Sequence, residues 1–177
     1  MREFDLLQDY PKLKSPRLVG ENLRTIEHRI IASKRDKNFF DGDRNYGYGG
    51  FKYDGRWKNI AKRIIKEYNL NNKSKFLQIG SEKGFLLNDM RDLLPEIEIT
   101  GIETSKYAVE NSMKTIKENV NFCENYKKLN FPDQYFDFCI ALGVVYTQTL
   151  SDAILLLKEI SRVSKKNFIT LASHENE

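Results

Sequence analysis

The chain has 177 residues, of which 40% are hydrophobic and 31% charged, and its formal net charge is +4, as expected for one soluble globular domain with a buried core. No apolar run approaches the ~20 residues of a membrane-spanning helix, and the N-terminal sequence MREFDLLQDY lacks the apolar centre of a signal peptide, so we expect a cytoplasmic protein. Cys123 and Cys139 lie in apolar segments and are expected to be reduced, and no Cys/His cluster has the spacing of a metal site.

Residues 1–56 are expected to form an N-terminal arm, a helix and a lid, ahead of a core at residues 57–177. Residues 1–20 predict an irregular arm, and apolar residues at helical spacing predict a helix over residues 21–34. The first 70 residues carry 16 Lys and Arg against 10 Asp and Glu, whereas the remaining 107 carry 13 against 15. This basic N-terminal third is consistent with an anionic ligand, or with an ordinary solvated surface.

The segment RDKNFFDGDRNYGYGGFKYDGRW, residues 35–57, combines five of the ten glycines with seven aromatic residues. A loop of this length inside a small domain is usually functional, and its aromatic content argues against disorder. We interpret it as a lid whose glycines permit close approach and whose rings exclude water. The alternative is a local aromatic cluster that fixes the arm to the sheet.

The rest of the chain alternates between helical and strand patterns. A helix is predicted over residues 55–68 with Asp54 as its N-cap. Strands are then predicted at 75–79, 98–102, 120–123, 136–142 and 168–172, and helices at 84–94, 105–117 and 151–163. Such alternation with short links indicates an α/β fold with a parallel, doubly wound sheet of about five strands. Ligands of these sheets bind at the carboxyl ends of the strands.

The stretch KFLQIGSEKGFLL, residues 75–87, reads as a strand, a glycine turn and a helix. Gly80 follows the strand and Gly84 opens the helix, where glycine allows positive φ and free N–H groups meet an anionic or polar ligand. Nineteen residues after Gly84, Glu103 ends the second strand. A carboxylate at that position can accept hydrogen bonds from a ribose diol. The alternative for Glu103 is a solvent-exposed or helix-capping role.

Three segments in order, FLQIGSEKG, GIETS and ENYKKLNFPDQYFDFCI, resemble the pattern VLDIGCGxG, GID-S and GDAxxLPFPDxSFDLVI of class I S-adenosylmethionine-dependent methyltransferases. The match covers residues 76–171, and the three segments are specific only in combination. The resemblance implies a Rossmann-like sheet of strand order 3-2-1-4-5 with an N-terminal cap of helix and loop. It also implies S-adenosyl-L-methionine as cofactor and S-adenosyl-L-homocysteine as product.

The resemblance further implies which residues contact that cofactor. The glycine turn would line its methionine and ribose side, Glu103 would hold the ribose hydroxyls, and Asn125 stands where the family often has an aspartate near the adenine amine. The implied cofactor-binding residues are Gly80, Ser81, Glu82, Gly84, Glu103, Thr104, Asn125, Tyr126 and Leu142.

Three features depart from the family pattern. Gln78 replaces the usual acidic residue of the first strand, and Glu82 replaces the middle glycine of the turn, so that its side chain narrows the cofactor space. The chain also ends where the family continues into a β6–β7 hairpin, which predicts an open edge at strand five. Dimerisation through that edge is one way to cover it.

The lid and the loop after strand four are expected to hold the substrate. The lid residues implied are Arg44, Tyr48, Gly49, Tyr53 and Arg56, and the basic ones, with Lys52, favour a small anionic substrate, phosphorylated or sugar-linked. Similar glycine and tyrosine runs in methyltransferases of bacterial surface-polysaccharide pathways suggest such a pathway. Tyr146 is the candidate catalytic residue for an O or N acceptor, with Asp41 and Asp43 as further candidates.

Two other functions remain open. A methyltransferase-like binding protein, impaired by its altered turn, would bind the cofactor without turnover. A nucleic-acid methyltransferase would explain the basic N-terminal third, but the sequence after strand four, ALGVVY, lacks an Asn/Asp-Pro-Pro-Tyr/Phe motif. We therefore expect no nucleic-acid partner.

Overall fold

The computed structural model describes residues 5–11 and 24–171, which form a parallel five-stranded sheet in the order β3-β2-β1-β4-β5 with flanking helices. This arrangement confirms the predicted α/β class and strand order. The strands are β1 Lys75–Ile79, β2 Glu98–Glu103, β3 Val120–Phe122, β4 Phe138–Ala141 and β5 Asn167–Ile169. The helices are α1 Ile26–Ser33, α2 Lys37–Asp41, α3 Lys58–Tyr68, α4 Phe85–Leu93, α5 Lys106–Glu110 and α6 Leu150–Val163, with 3₁₀ helices at Lys114–Asn119 and Val145–Thr147.

Some predictions concern residues outside this description. These residues are 1–4 and 12–23, where the arm and the start of the N-terminal helix were predicted, and 172–177, which include the last residue of the predicted fifth strand. The division of the chain at residue 57 stays a prediction.

The central strands bury both of their faces. Successive side chains of a strand point to opposite sides, so Phe76 and Phe138 pack with α3 and α4 on one face, while Leu77 and Cys139 pack with α6 on the other. All four residues of β4 and four of the five in β1 are buried. This is why both strands are continuous apolar runs in the sequence.

The predicted helix over residues 105–117 is wrong in its second half. Helix α5 ends at Glu110, and a separate 3₁₀ helix begins at Lys114. Between them the N–H of Met113 donates to the carbonyl of Lys83, in the glycine turn, at 3.0 Å. The chain is therefore drawn towards the turn, and the helical pattern is interrupted by a tertiary contact that no local signal records.

The segment 35–57 also differs from the predicted loop, because it contains helix α2. Asp36 caps that helix by accepting the N–H of Asn38 at 2.8 Å. The predicted N-cap role of Asp54 is wrong as well. Helix α3 begins at Lys58 with no side-chain cap, and Asp54 pairs with Arg56 at 2.6 Å instead.

The described part of the arm belongs to the core. Leu6 has no exposed surface and packs into the cluster formed by α3, α4 and the sheet. Tyr10 packs against Trp57 with ring centroids 4.9 Å apart. The arm therefore covers one end of the sheet and forms a wall beside the carboxyl ends of its strands.

Strand β5 lies at the edge of the sheet, where it pairs with β4 and has no second neighbour among the described residues. It is three residues long, and short edge strands limit unwanted pairing. Dimerisation through this edge stays a prediction. Within residues 5–11 and 24–171, no helix has the length and apolar character needed to cross a membrane.

Substitution of Leu6 by alanine tests whether the arm is part of the core. Because the side chain is fully buried, we expect the free energy of unfolding to fall by ~2–5 kcal/mol, as for other large-to-small core changes. Chemical denaturation measures this value. The control is Leu150→Ala, since Leu150 is 80% exposed; an equal, small effect in both variants would show that the arm is not docked.

Candidate functional site

Two adjoining cavities open at the carboxyl ends of the strands. The first has a volume of about 650 Å³ and lies over the ends of β1, β2 and β4, with residues of α1 and α2 on its outer side. The second has about 600 Å³ and lies over the ends of β1, β4 and β5, with Leu7, Tyr10 and Trp57 on its outer side. Six residues line both cavities: Tyr48, Gly80, Glu82, Leu142, Gly143 and Tyr146.

The glycine turn brings backbone to the floor of both cavities. Gly80 has φ +69°, and the N–H groups of Gly80 and Ser81 donate to the carbonyl of Ile102 at 2.9 and 3.2 Å. A Cβ on Gly80 would lie 2.4 Å from a methyl group of Val144. Position 80 thus requires glycine, both for its dihedral angle and for the approach of the loop after β4.

Two other residues of the turn face the protein interior. Gly84 has φ +77°, and a Cβ there would lie 2.3 Å from Ile116. Ser81 is 2% exposed, its hydroxyl lies against Gly101, and neither residue lines a cavity. Their contribution is the close packing of the turn on β2 and on the 3₁₀ helix.

Glu103 is fully buried at the end of β2. One carboxylate oxygen accepts the N–H of Glu82 at 2.8 Å, and the other accepts those of Thr104 at 2.8 Å and Ser105 at 2.9 Å. A carboxylate offers about four acceptor sites; three are used by backbone, and the Thr104 hydroxyl donates to the carboxylate at 3.4 Å. Glu103 thus fixes the turn and the start of α5, and it does not itself line either cavity.

Glu82 lines both cavities and holds the lid. Its backbone has φ +52°, and Oε1 accepts the Tyr48 hydroxyl at 2.7 Å and Nη2 of Arg35 at 3.1 Å. Burial raises the pKa of Glu82, and the Arg35 cation opposes the shift only in part. Burial, together with the Glu82 carboxylate, raises the pKa of Tyr48, so this hydroxyl stays a donor.

Arg35 is a site residue that the sequence analysis missed. Burial lowers its pKa, but the carboxylates of Glu82 and Glu103 outweigh burial and raise it overall. Its guanidinium lies 4.7 Å from the Phe39 ring centroid, and its carbonyl accepts the Ser105 hydroxyl at 2.5 Å. The sequence signal that could have predicted a cation here is Glu82, since a carboxylate in a tight buried turn needs a positive partner.

A second ion pair ties α2 to the turn. Nζ of Lys83, which is 7% exposed, donates to both oxygens of Asp41 at 2.8 and 2.6 Å. Asp41 also accepts the Tyr107 hydroxyl at 2.7 Å and the N–H of Phe51 at 3.0 Å. The carboxylate raises the pKa of Tyr107 to about 12. Asp41, a sequence candidate for catalysis, is thus occupied in holding the lid and lines neither cavity.

The remaining cofactor candidates differ in position. Thr104, Tyr126 and Leu142 line the first cavity, and the hydroxyls of Thr104 and Tyr126 lie 3.5 Å apart. Asn125 is exposed, lines neither cavity, and accepts a backbone N–H two residues ahead at 3.0 Å. Tyr146 is 57% exposed and lines both cavities.

Among the predicted lid residues, Tyr48 lines both cavities, and the other four line neither: Arg44, Gly49, Tyr53 and Arg56. Arg44 donates to the carbonyl of Gly47 in its own loop, and Gly49 packs on the Arg44 side chain. The Tyr53 hydroxyl donates to Asp89, Arg56 pairs with Asp54, and Asp43 accepts the N–H of Asn45. The arginines expected to hold an anion therefore have local partners.

Gln78 is a second residue of interest that the sequence analysis noted only as a departure. It is 6% exposed, lines the second cavity, and its carbonyl Oε1 has no hydrogen-bond partner among the described residues. An unpaired buried polar atom costs ~1–3 kcal/mol. Within the described ranges, no group of three or more His, Cys, Asp or Glu side chains is arranged to hold a metal.

Comparison with known proteins gives one family. A family model described as a methyltransferase domain matches residues 77–170, more than half of the chain. The demethylmenaquinone methyltransferase of Thermotoga maritima is 27% identical over 117 residues, which are 66% of this chain and 48% of that protein.

Solved structures show the same fold. A Methanococcus maripaludis protein, thought to be an S-adenosyl-L-methionine-dependent methyltransferase, has a TM-score of 0.55 and 21% identity over 64% of this chain and 54% of its own. The PH0226 protein of Pyrococcus horikoshii has a TM-score of 0.55 and 19% identity, and the match covers 76% of this chain and 63% of that protein. The chain spans about half the length of the curated relative and of the first of these structures.

Replacement of Asp41 by asparagine tests the tie between lid and turn. Burial raises the pKa of Asp41, but its bonds from Lys83 and Tyr107 lower it overall. Its contribution to stability is therefore present above the ordinary pKa of ~3.9 and is lost as the pH falls through the lower, folded value. We expect Asp41→Asn to lower the free energy of unfolding by ~2–3 kcal/mol at pH 7, because Lys83 is left buried without a counter-charge.

The measurement is denaturant unfolding of both proteins between neutral and acidic pH. The difference in the free energy of unfolding between the natural chain and Asp41→Asn should be constant near neutrality and should shrink as the pH falls below ~4. Asp43→Asn is the matched control, since Asp43 lies in the same segment and, within the described ranges, its carboxylate accepts a hydrogen bond only from a backbone N–H. A difference that is independent of pH would contradict the role of the carboxylate charge.

Proposed function

This chain belongs to the methyltransferase domain family, and from that premise we propose that it transfers the methyl group of S-adenosyl-L-methionine to an oxygen or nitrogen atom of a small molecule. The observation that supports the proposal is the first cavity, which lies over the glycine turn at the carboxyl ends of the strands. Its volume of about 650 Å³ falls in the range of cofactor sites, ~300–1,000 Å³.

The residues of the first cavity fit such a cofactor. Gly80 and Gly143, with φ +69° and +70°, present backbone to it on one side. Thr104 and Tyr126 line the side nearest β2, where a hydroxyl and a ring can meet the adenosine part. Glu103 orients the N–H groups around them, but it lines neither cavity, so the ribose contact of its carboxylate stays a prediction.

When bound, S-adenosyl-L-methionine supplies an electrophilic methyl group, whose bond to sulfur breaks, leaving the electron pair on sulfur, as the acceptor lone pair forms the new bond. The protein's contribution is orientation and the exclusion of water. The rings of Phe39 and Tyr48 and the Arg35–Glu82 pair cover the first cavity for this purpose.

The proton of an O–H or N–H acceptor must leave during the reaction. Glu82 is the one carboxylate among the described residues that line either cavity. Burial raises its pKa, which makes it a stronger base than an exposed glutamate. We assign it this role, with the exposed Tyr146 hydroxyl as the sequence-predicted alternative.

Fewer observations bear on the methyl acceptor than on the cofactor. The predicted anionic, sugar-linked substrate and the surface-polysaccharide pathway stay predictions, and the lid arginines on which they were based are engaged in local contacts. The Thermotoga maritima relative is named for methylation of demethylmenaquinone, which supports a small organic acceptor here. The cytoplasmic location and the homodimer also stay predictions.

One observation favours the alternative of a binding protein without turnover. The Glu82 side chain joins the lid to the turn and lines both cavities, so the methyl donor and the acceptor must meet beside this side chain for transfer to occur. Binding and turnover must therefore be measured separately.

Calorimetric titration with S-adenosyl-L-methionine tests the proposed function. We expect one site per chain and a dissociation constant between ~1 μM and ~1 mM, the usual range for enzyme substrates. S-adenosyl-L-homocysteine should compete for that site. Absence of heat and of competition at the upper concentration would rule out the function, whereas binding without turnover for any acceptor would favour the binding protein.

Glu82→Gln tests the electrostatic role of position 82. The change keeps the size of the side chain but leaves the Arg35 cation unpaired at the first cavity. We expect a loss of about tenfold in affinity for the cationic S-adenosyl-L-methionine, which corresponds to ~1.4 kcal/mol, and a smaller loss for S-adenosyl-L-homocysteine, which lacks the sulfonium charge. Calorimetry with both ligands measures the two values.

Glu82→Gly is the companion variant. Because glycine accepts the φ of +52° at this position, the fold should be retained, and affinity for S-adenosyl-L-methionine should fall as in the glutamine variant. If both variants bind the two ligands as the natural chain does, Glu82 does not face the cofactor.

A further inference from the structure

The wall of the second cavity contains an unused hydrogen-bond acceptor. Gln78 lies near the end of the central strand β1, is 6% exposed, and its Oε1 has no partner among the described residues. It lines the second cavity and not the first. Oε1 itself has less than 1 Å² of accessible surface, so a ligand reaches it only when the terminal amide of Gln78 turns toward the cavity. An unpartnered buried carbonyl oxygen is costly in the folded protein and is satisfied when a ligand brings an N–H or O–H group.

Aromatic rings form the opposite wall. Tyr10 and Trp57 pack with ring centroids 4.9 Å apart and planes tilted by 55°, and both line the second cavity with Tyr48. Trp57 is half-buried. Rings of this kind bind planar apolar groups by stacking or edge contacts.

The charge of this wall disfavours an anion. Among the described residues that line the second cavity, none carries a positive charge, and Glu82 is the only charged one. Arg56 contacts Tyr10 from outside the cavity, but its guanidinium is paired with Asp54. An anion in this space would lose its water beside a carboxylate and gain no cation in return.

The geometry points to the second cavity as the site of the methyl acceptor, and to an acceptor that is planar, aromatic and not anionic, with an O–H or N–H group that donates to Gln78. This assignment rests on the proposed function, because it takes the first cavity for the cofactor. The two cavities share Gly80, Glu82, Leu142 and Gly143, so an acceptor placed against Gln78 lies next to the donor's site. Gln78 is then a residue that determines specificity.

Trp57 is the only tryptophan of the chain, so its fluorescence reports the second cavity directly. The full chain, saturated with S-adenosyl-L-homocysteine, is titrated with three probes. Catechol is neutral, planar and carries O–H donors, 3,4-dihydroxybenzoate is the same ring with a carboxylate, and glucose 1-phosphate is an anionic sugar. We expect a saturable change in Trp57 emission with catechol, binding at least about tenfold weaker with the benzoate, and no change with the sugar phosphate.

Gln78→Met separates a binding role from a structural one. Methionine has nearly the same length but lacks the amide, so it should weaken catechol binding by about tenfold, while the unfolding midpoint stays the same or rises because an unpaired buried group is removed. Glu124→Met is the matched control, since Glu124 is exposed and lines neither cavity, so its replacement should leave the catechol titration unchanged. Gln78→Glu keeps an acceptor oxygen and should retain catechol binding.

The outcomes are distinguishable from those of the proposed function. Tighter binding of glucose 1-phosphate than of catechol, or equal binding of catechol to the Gln78→Met variant, would overturn the assignment even if S-adenosyl-L-methionine binds. A loss of S-adenosyl-L-methionine affinity in Gln78→Met without a change in the catechol titration would also overturn it, because Gln78 would then serve the cofactor. Catechol binding that depends on Gln78, in a chain that does not bind S-adenosyl-L-methionine, would sustain the cavity's ligand class and reject the methyltransferase function.

Discussion

The buried carboxylate of Glu103 is the constraint on which the rest of the site depends. It accepts three backbone N–H groups, two at the start of α5 and one in the glycine turn. A fully buried carboxylate is stable only with such partners, so the two loops are held in one arrangement. Ser105, held in this way, caps α5 and donates to the Arg35 carbonyl of the lid. Sheet, turn, helix and lid thus meet at one side chain.

The lid is attached at two neighbouring residues of opposite charge. Glu82 holds Arg35, and Lys83 holds Asp41. The two pairs lie on the same turn that floors the cavities, so a movement of the lid changes the shape of both. Because the lid is attached to the glycine turn, the residues that form the floor of the cavities also decide how the lid covers them. A glycine at position 82, as in the family pattern, would not provide this link.

Local patterns predicted the sheet correctly because each central strand is a continuous apolar run and each turn carries its own glycine or polar signal. The same reasoning failed where distant groups intervene. Met113 leaves the helical path because it donates to Lys83, thirty residues earlier in the chain. Asp54 does not cap α3 because Arg56 takes its carboxylate. Among the site residues, Tyr48 and Tyr146 were expected and do line the cavities, but Arg35 was not foreseen.

The sequence by itself determined the family, the strand order and the position of the glycine turn, because these depend on short segments whose spacing is visible along the chain. Only the tertiary structure decided what the two unusual residues of that turn and strand do. Glu82 meets partners 34 and 47 residues away. Oε1 of Gln78 has no partner among the described residues, and the Gln78 side chain lines a cavity to which the arm contributes Leu7 and Tyr10. Hydrogen bonds and cavities between distant segments leave no periodic pattern, so they are specified by the packing of the whole chain.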